Sequence, residues 1–189
     1  MASDAELIGW SLAGDPDAFV EVLDRHESAV WGYLVRRAGR EVAEDLLGEV
    51  WATAFGSRGA YDRSYPNARP WLFGVALNAL RHHWRSQPAT DPQADMADLA
   101  VGEDPWPGVD ERIDGGTVLR AALARLRPEH REVLVLVVWE DLSIADAARV
   151  LRVPAGTARY LLHQARLGLR DAPGMVALLT EFNTVKEHK

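Results

Sequence analysis

The stretch LSIADAARVLRVPAGTARYLLHQARLGLR, residues 142–170, decides the fold. It predicts two short helices joined by a tight corner. Ser143 can cap the first helix, with Asp146 three residues later as the partner carboxylate. Pro154 suits the first turn of the second helix, because the missing N–H of proline is no loss there. The first helix repeats apolar residues at helical spacing, namely Ile144, Ala147, Ala148 and Leu151.

The second helix of this pair has two different sides. Successive residues turn by about 100° around a helix, which separates an apolar stripe from a basic one. The apolar stripe is Ala158, Leu162, Ala165 and Leu169, and the basic stripe is Arg159, His163, Arg166 and Arg170. Such a helix can pack on its neighbour with one side and face bases and phosphates in a DNA major groove with the next. An ordinary amphipathic hairpin with a solvated arginine face has the same pattern, so DNA binding stays open at this point.

The composition narrows the class of protein. The chain has 189 residues, enough for one large or two small domains, and its 48% hydrophobic content is typical of globular proteins. No apolar run approaches the roughly 20 residues of a membrane span, and the N-terminus lacks the regions of a signal peptide. Cysteine is absent, which excludes disulfides and thiolate zinc sites. We therefore expect a cytoplasmic protein without membrane insertion, metal or other cofactor.

The net charge of −7 is distributed unevenly along the chain. Residues 17–86 carry nine arginines against nine acidic residues, whereas residues 118–171 carry nine arginines against six. Eight acidic residues and one arginine fall within residues 87–117, together with four of the ten prolines. This composition predicts an acidic, proline-rich linker over residues 87–116. The acidic total therefore does not exclude nucleic-acid binding by the basic segment.

Apolar periodicity predicts further helices and an all-α fold with two small helical domains. Helices are expected over residues 17–37, with a break at Gly39, over residues 42–55, and from Trp71 to Arg85. His26 falls on an apolar face, which favours a core histidine over a ligand. The apolar run from Val133 to Trp139 could form a strand, but its position after Pro128 and between helices favours a buried helix. The first domain is predicted over residues 1–86, the second over residues 117–171, and a tail over residues 172–189.

Two of these helices carry candidate binding faces. On the helix of residues 42–55, one face combines small residues with two carboxylates, which suits a basic partner or a plain solvated surface; it consists of Asp45, Gly48, Glu49 and Ala52. On the helix of residues 71–85, Asn78, Arg81 and Arg85 line up near Trp71. One amide beside two guanidiniums can bind base edges and phosphates.

The loop of residues 56–70 mixes tyrosines with arginines. The arginines are Arg58, Arg63 and Arg69, and the tyrosines are Tyr61 and Tyr65. Aromatic rings among cations suit stacking on unpaired bases, and they also suit an ordinary surface loop.

Four short motifs, in order along residues 15–171, carry a resemblance to a known family. They are Asp17-Ala-Phe19; Ala43-Glu-Asp-Leu46 with Glu49; Trp71-Leu72 followed by Asn78 and Arg85; and Pro154-Ala-Gly-Thr157 with Ala165-Arg166 and Leu169-Arg170. Together they resemble the extracytoplasmic-function (ECF) class of bacterial RNA polymerase sigma factors. The resemblance implies a first domain that melts promoters (region 2) and a second, helix-turn-helix domain that recognises the −35 element (region 4).

The resemblance also implies partners and roles, and no catalytic activity. Binding to core RNA polymerase would fall to Asp45, Gly48, Glu49 and Ala52. Opening and recognition of the −10 element would fall to Arg58, Tyr61, Arg63, Arg69, Trp71, Asn78, Arg81 and Arg85. Recognition of the −35 element would fall to Thr157, Arg159, Tyr160, His163, Arg166 and Arg170. The partners are core RNA polymerase and promoter DNA, with an anti-sigma factor as a further candidate.

The chain departs from the pattern of this family at five positions. Gly48 stands where the family commonly has glutamine, and Leu77 replaces a usual arginine before Asn78. In the second domain, Tyr160, Leu161 and Gln164 occupy places where serine, arginine and arginine are common. These departures concern the strength and sequence preference of binding rather than the fold.

Two other classes of protein are compatible with parts of the sequence. A helix-turn-helix regulator with an N-terminal sensing domain would bind duplex DNA without polymerase, but it would not need the Asn78, Arg81 and Arg85 face. A helical enzyme would have to use Asp45, Glu49 or the histidines. No spacing among the six histidines predicts a metal site, and no glycine-rich phosphate loop is present.

Overall fold

The computed structural model describes residues 1–86 and 122–170, and within these ranges every regular element is helical. This confirms the predicted all-α class for the part of the chain that is described. The chain divides into two compact units, Met1–Pro92 and Gln93–Lys189. The predicted linker of residues 87–116 and the tail of residues 172–189 lie outside the described residues. None of the described helices is long and apolar enough to cross a membrane.

The described part of the first unit, residues 1–86, contains three α-helices and one short 3-10 turn. The helices are α1 (Asp4–Leu12), α2 (Asp17–Ser57) and α3 (Arg69–Ser86), and the turn spans Arg58–Ala60. Gly39 interrupts α2 with a φ of 78°, a conformation that favours glycine. The predicted break at this glycine is confirmed, and it divides α2 into a first arm and a second arm.

The kink folds the two arms of α2 against each other and against α3. The rings of Phe19 and Phe55, near opposite ends of α2, lie 5.5 Å apart in an edge-on arrangement. Tyr33 of the first arm contacts Phe73 of α3, with ring centroids 5.2 Å apart. Both Tyr33 and Phe73 are completely buried. Apolar side chains from the two arms of α2 and from α3 are therefore buried together and form the core of this unit.

Helix α1 was not predicted from the sequence. A capping box begins it, because the Ser3 hydroxyl accepts the Glu6 N–H at 3.3 Å and the Ser3 N–H donates to the Glu6 carboxylate at 2.7 Å. Leu7 and Ile8 are buried and attach the helix to the rest of the unit.

The described part of the second unit contains a helical turn at residues 122–125 and three further helices. These are α4 (Pro128–Val138), α5 (Ile144–Leu151) and α6 (Ala155–Leu169). Val133 to Val138 are all buried within α4, so the prediction of a buried helix is confirmed and the strand alternative is wrong. Buried Arg131 donates to the carbonyls of Leu123 and Leu126, so its guanidinium finds hydrogen-bond acceptors at the end of the preceding turn.

Helices α5 and α6 form the predicted helical pair. The Ser143 hydroxyl accepts the Asp146 N–H at 3.0 Å, as the cap prediction required. Arg152 ends α5 in a left-handed conformation (φ 57°). Pro154 directly precedes α6, one position earlier than the first turn that was predicted for it. The apolar stripe of α6 is buried as predicted: Ala158, Leu162, Ala165 and Leu169.

Candidate functional site

The predicted acidic face lies on the outside of the second arm of α2. Asp45, Gly48, Glu49 and Ala52 are all exposed. The opposite side of the same arm is buried and includes Leu46, Val50 and Ala54. A Cβ added at Gly48 would meet no described atom within 4 Å. This surface, called the α2 face below, can therefore admit a partner of complementary charge without disturbing the core.

In the loop before α3, Tyr61 is buried, although it was predicted to contact the −10 element. Tyr61 is only 7% exposed, its hydroxyl donates to the carbonyl of Tyr65, and its ring packs 5.2 Å from that of Trp71. A ring held in this way is not accessible to an unpaired base, so Tyr61 is a packing residue in this conformation. Tyr65, which the predicted site omitted, is 40% exposed. Alternation of tyrosine and arginine along the sequence did not reveal which ring was buried.

The arginines of this loop fall into two groups. Arg58 and Arg69 are half-buried and lie against aromatic rings, with the Arg58 guanidinium 3.8 Å from the Phe55 ring centroid and that of Arg69 5.4 Å from Phe73. Such contacts combine packing with cation–π attraction. Arg63 is exposed and is available to a ligand.

The predicted polar side of α3 is exposed. Asn78, Arg81 and Arg85 point away from the core, and the Arg85 Nε donates to the Arg81 carbonyl at 3.1 Å. Trp71 is half-buried at the start of the helix. Leu77 is only 1% exposed, so this departure from the family pattern alters the core and not the exposed side. The exposed residues Asn78, Arg81 and Arg85 are called the α3 face below.

One buried carboxylate near this loop was missed by the sequence analysis. Asp4, at the start of α1, is 5% exposed and accepts hydrogen bonds from His26 at 2.7 Å, Ala68 N–H at 2.8 Å and Arg25 at 2.9 Å. Burial opposes ionisation of this carboxyl, but the bonds from His26, Ala68 and Arg25 outweigh burial and lower its pKa to about 2. The partners of Asp4 are distant in sequence, so no local motif could have identified the cluster.

His26 is a structural residue, as its position on an apolar face predicted. Its side chain is 12% exposed and its Nε2 contacts Asp4. Within residues 1–86 and 122–170, no group of three or more metal-ligating side chains is close enough to hold a metal ion.

Helix α6 presents a continuous exposed side opposite its buried stripe. This α6 face consists of Thr157, Arg159, Tyr160, His163, Arg166 and Arg170, all of them exposed. Tyr160 is the most prominent apolar group of the face at 60% exposure. Leu161 and Gln164 are half-buried at its border. The three arginines make this face basic, whereas the α2 face carries two carboxylates, so the two surfaces suit partners of opposite charge.

Comparison with known proteins identifies the family. Residues 22–90 match Sigma-70 region 2 and residues 117–169 match Sigma-70 region 4. The RNA polymerase sigma factor CarQ of Myxococcus xanthus is 33% identical over 172 residues, which cover 87% of this chain and 94% of CarQ. The ECF RNA polymerase sigma factor SigM of Mycobacterium tuberculosis is 34% identical over 172 residues, covering 88% and 83%.

Two solved structures share the fold at low sequence identity. CnrH, in complex with the cytosolic domain of CnrY, matches with a TM-score of 0.63 and 22% identity, covering 88% of this chain and 94% of that chain. The sigma factor RpoE, in complex with the anti-sigma factor NepR from Bartonella quintana, matches with a TM-score of 0.62 and 20% identity, covering 86% and 96%.

The matches to regions 2 and 4 define an RNA polymerase sigma factor, a protein that directs promoter-specific transcription. The chain belongs to the ECF family of these factors, and the expectation drawn from its motifs is confirmed. A regulator that works without polymerase is not favoured, because sigma-factor relatives extend across both units.

Proposed function

We propose that three exposed surfaces of this sigma factor each bind a different partner or promoter element. The α2 face binds core RNA polymerase, the loop of residues 58–70 and the α3 face open and recognise the −10 element, and the α6 face recognises the −35 element. The observation that carries the proposal is a common arrangement of the three helices. Each one buries an apolar stripe in the core of its own unit and leaves the predicted contact residues exposed, except for Arg69 and Trp71 at the start of α3, which are half-buried.

The charge of the α2 face supports its assignment to polymerase binding. Asp45 and Glu49 lie one helical turn apart on a surface whose other members, Gly48 and Ala52, are small. A basic surface can therefore approach the helix closely and pair with both carboxylates. DNA, in contrast, would be repelled by this face, which leaves a protein as the fitting partner.

The α3 face and its loop suit an opened DNA strand. Asn78 can form two hydrogen bonds to a base edge, and Arg81 and Arg85 can neutralise phosphates. Arg63 adds an exposed cation from the loop. Because Tyr61 is buried, the exposed ring of Tyr65, together with half-buried Trp71, stacks on the unpaired bases instead.

The α6 face suits duplex DNA. It begins at the N-terminal half of α6, where a helix inserted into the major groove meets base edges, with Thr157, Arg159, Tyr160 and His163. Arg166 and Arg170 continue the same side and fit phosphates. Half-buried Leu161 and Gln164 replace the arginines common in the family, so fewer cations support this contact.

The proposed partners also indicate where the protein acts and how it is controlled. The protein acts as a dissociable subunit of the bacterial polymerase, without catalysis of its own, and therefore works in the cytoplasm. Control by an anti-sigma protein is part of the proposal, because RpoE of the same fold was solved with the anti-sigma factor NepR.

The α2 face provides the sharpest test. We expect the double variant Asp45→Arg, Glu49→Arg to fold normally but to bind core polymerase at least about tenfold more weakly, because like charges then meet across the interface. Binding would be measured by biolayer interferometry on immobilised core polymerase, with circular dichroism to verify folding.

A matched control changes the net charge equally at another exposed site of α2. The double variant Asp24→Arg, Glu27→Arg reverses two exposed carboxylates on the first arm, and it should bind core polymerase like the wild type. Equal affinity of all three proteins, or an equal loss in both variants, would contradict the assignment of the α2 face.

A further inference from the structure

The start of α1 holds the end of the loop that precedes α3. The backbone N–H of Asp4 donates to the Pro66 carbonyl at 3.0 Å, and the carboxylate of the same residue accepts the Ala68 N–H at 2.8 Å. One residue of α1 therefore binds the segment of residues 66–68 at both ends. Ala68 is completely buried, and its carbonyl accepts the Leu72 N–H in the first turn of α3. The position of this segment thus sets where α3 begins.

The carboxylate of Asp4 is itself held in place by α2. His26 contacts Oδ2, the oxygen that also accepts the Ala68 N–H, and Arg25 donates to Oδ1 at 2.9 Å. Hydrogen bonds to an ionised carboxylate are stronger than those between neutral groups. Asp4 consequently joins three parts of the unit, namely α1, the first arm of α2 and the loop.

Helix α1 also lies close to the exposed cation of the loop. A Cβ added at Gly9 would lie 3.3 Å from the Arg63 guanidinium. Arg63 precedes the bound segment by only three residues, and Asn78 lies on the helix that follows it. Displacement of residues 66–68 would therefore shift the candidate DNA contacts on both sides of the segment.

We propose that Asp4 is a positioning residue for promoter opening, which keeps the loop and the α3 face in the geometry that holds the opened −10 strand. This inference rests on the assignment of the −10 element to the loop and the α3 face. Asp4 touches no DNA in the proposal; it acts through the backbone of residues 66–68. Since Asp4 lies outside the α2 face, its loss should spare binding to core polymerase.

The test compares Asp4→Ala with Arg25→Met in the full-length chain. Asp4→Ala removes the acceptor of the Ala68 N–H, whereas Arg25→Met removes a partner of the other carboxylate oxygen and leaves the loop bonds in place. In Asp4→Ala, hydrogen exchange of peptides covering residues 62–70 should rise at least about tenfold, as expected for the loss of a charge-assisted hydrogen bond. In Arg25→Met it should stay within about twofold of the wild type.

The functional readout is opening of promoters selected from a random library by the wild-type holoenzyme. At saturating holoenzyme, permanganate reactivity of the −10 region should develop about tenfold more slowly with Asp4→Ala, while core affinity stays within about twofold. Arg25→Met should open these promoters like the wild type. Asp4→Leu, which keeps about the size of the side chain but has no acceptor for the Ala68 N–H, is used in the same assays, with the same expected results, should the alanine variant not fold.

The outcomes separate the inference from the proposed function. Unchanged exchange of residues 62–70, or an equal loss of opening in Arg25→Met, would overturn the positioning role of Asp4. The double variant Asn78→Ala, Arg81→Ala tests the α3 face in the same experiment. If this variant is impaired and Asp4→Ala is not, only the inference fails. If the double variant opens promoters normally, the assignment of the α3 face fails.

Discussion

Substitution of Asp4 by asparagine should lower the stability of the first unit in a pH-dependent way. The hydrogen bonds to this carboxylate lower its pKa from an ordinary value of 3.8 to about 2. A pKa difference of this size corresponds to about 2 kcal/mol of folding free energy at neutral pH. Because the pKa is lower in the folded state, this stabilisation is complete above pH 3.8 and is lost as the pH falls through about 2.

Urea denaturation of the wild type and Asp4→Asn, followed by circular dichroism, measures this difference. The free energy of unfolding should differ by about 2 kcal/mol at pH 7 and by about 1 kcal/mol at pH 3, because at pH 3 the carboxyl of the unfolded chain is mostly protonated while that of the folded chain is still mostly ionised. The control Asp45→Asn removes an exposed carboxylate of the α2 face, and we expect it to change stability by less than about 0.5 kcal/mol. A difference between wild type and Asp4→Asn that is constant from pH 7 to pH 3 would refute the charge-based explanation.

Three further predictions concern the α3 face, the α6 face and the packing of α6. In transcription from a set of −10 variants, Asn78→Ala should alter the ranking of promoters, whereas Arg81→Ala should weaken all of them evenly; an unchanged ranking with Asn78→Ala would contradict base recognition. Arg166→Ala in the full-length chain should reduce the slope of log affinity against log salt for −35 duplex DNA by about 0.9, and an identical slope would exclude a phosphate contact. Gly168→Ala should not gain the stability of an ordinary Gly→Ala substitution in a helix, as measured by urea denaturation, because the new Cβ would lie 2.6 Å from Leu126 Cδ2 and this leucine would have to shift. Gly48→Ala, where the Cβ meets open space, should instead add up to about 1 kcal/mol, and equal effects of the two substitutions would contradict the steric explanation.

The sequence predicted those features that depend on local periodicity. The buried stripe of α6 follows from the helical repeat of Ala158, Leu162, Ala165 and Leu169, and the break in α2 follows from Gly39. The buried helix around Val133 to Val138 required context, because its composition alone fits a strand equally well.

The features that were missed depend on contacts between distant residues. Burial of Tyr61 results from Trp71 and the Tyr65 carbonyl, and the alternation of residue types in a loop does not encode such packing. The Asp4 cluster joins residues that are 21 to 64 positions apart, which no motif records. Helix α1 did carry a local signal in Ser3 and Glu6, but its nine residues offer little periodicity.

The most direct test of the sigma-factor function is run-off transcription with core RNA polymerase freed of other sigma factors. A genomic DNA library serves as template, and the reaction is performed with the wild-type chain, with the Asp45→Arg, Glu49→Arg variant, and without either. Discrete transcripts should appear only with the wild-type chain, because promoter recognition requires both the DNA-binding faces and attachment to polymerase. A wild-type protein that binds core polymerase and DNA but yields no transcript above the core-only background would contradict the account.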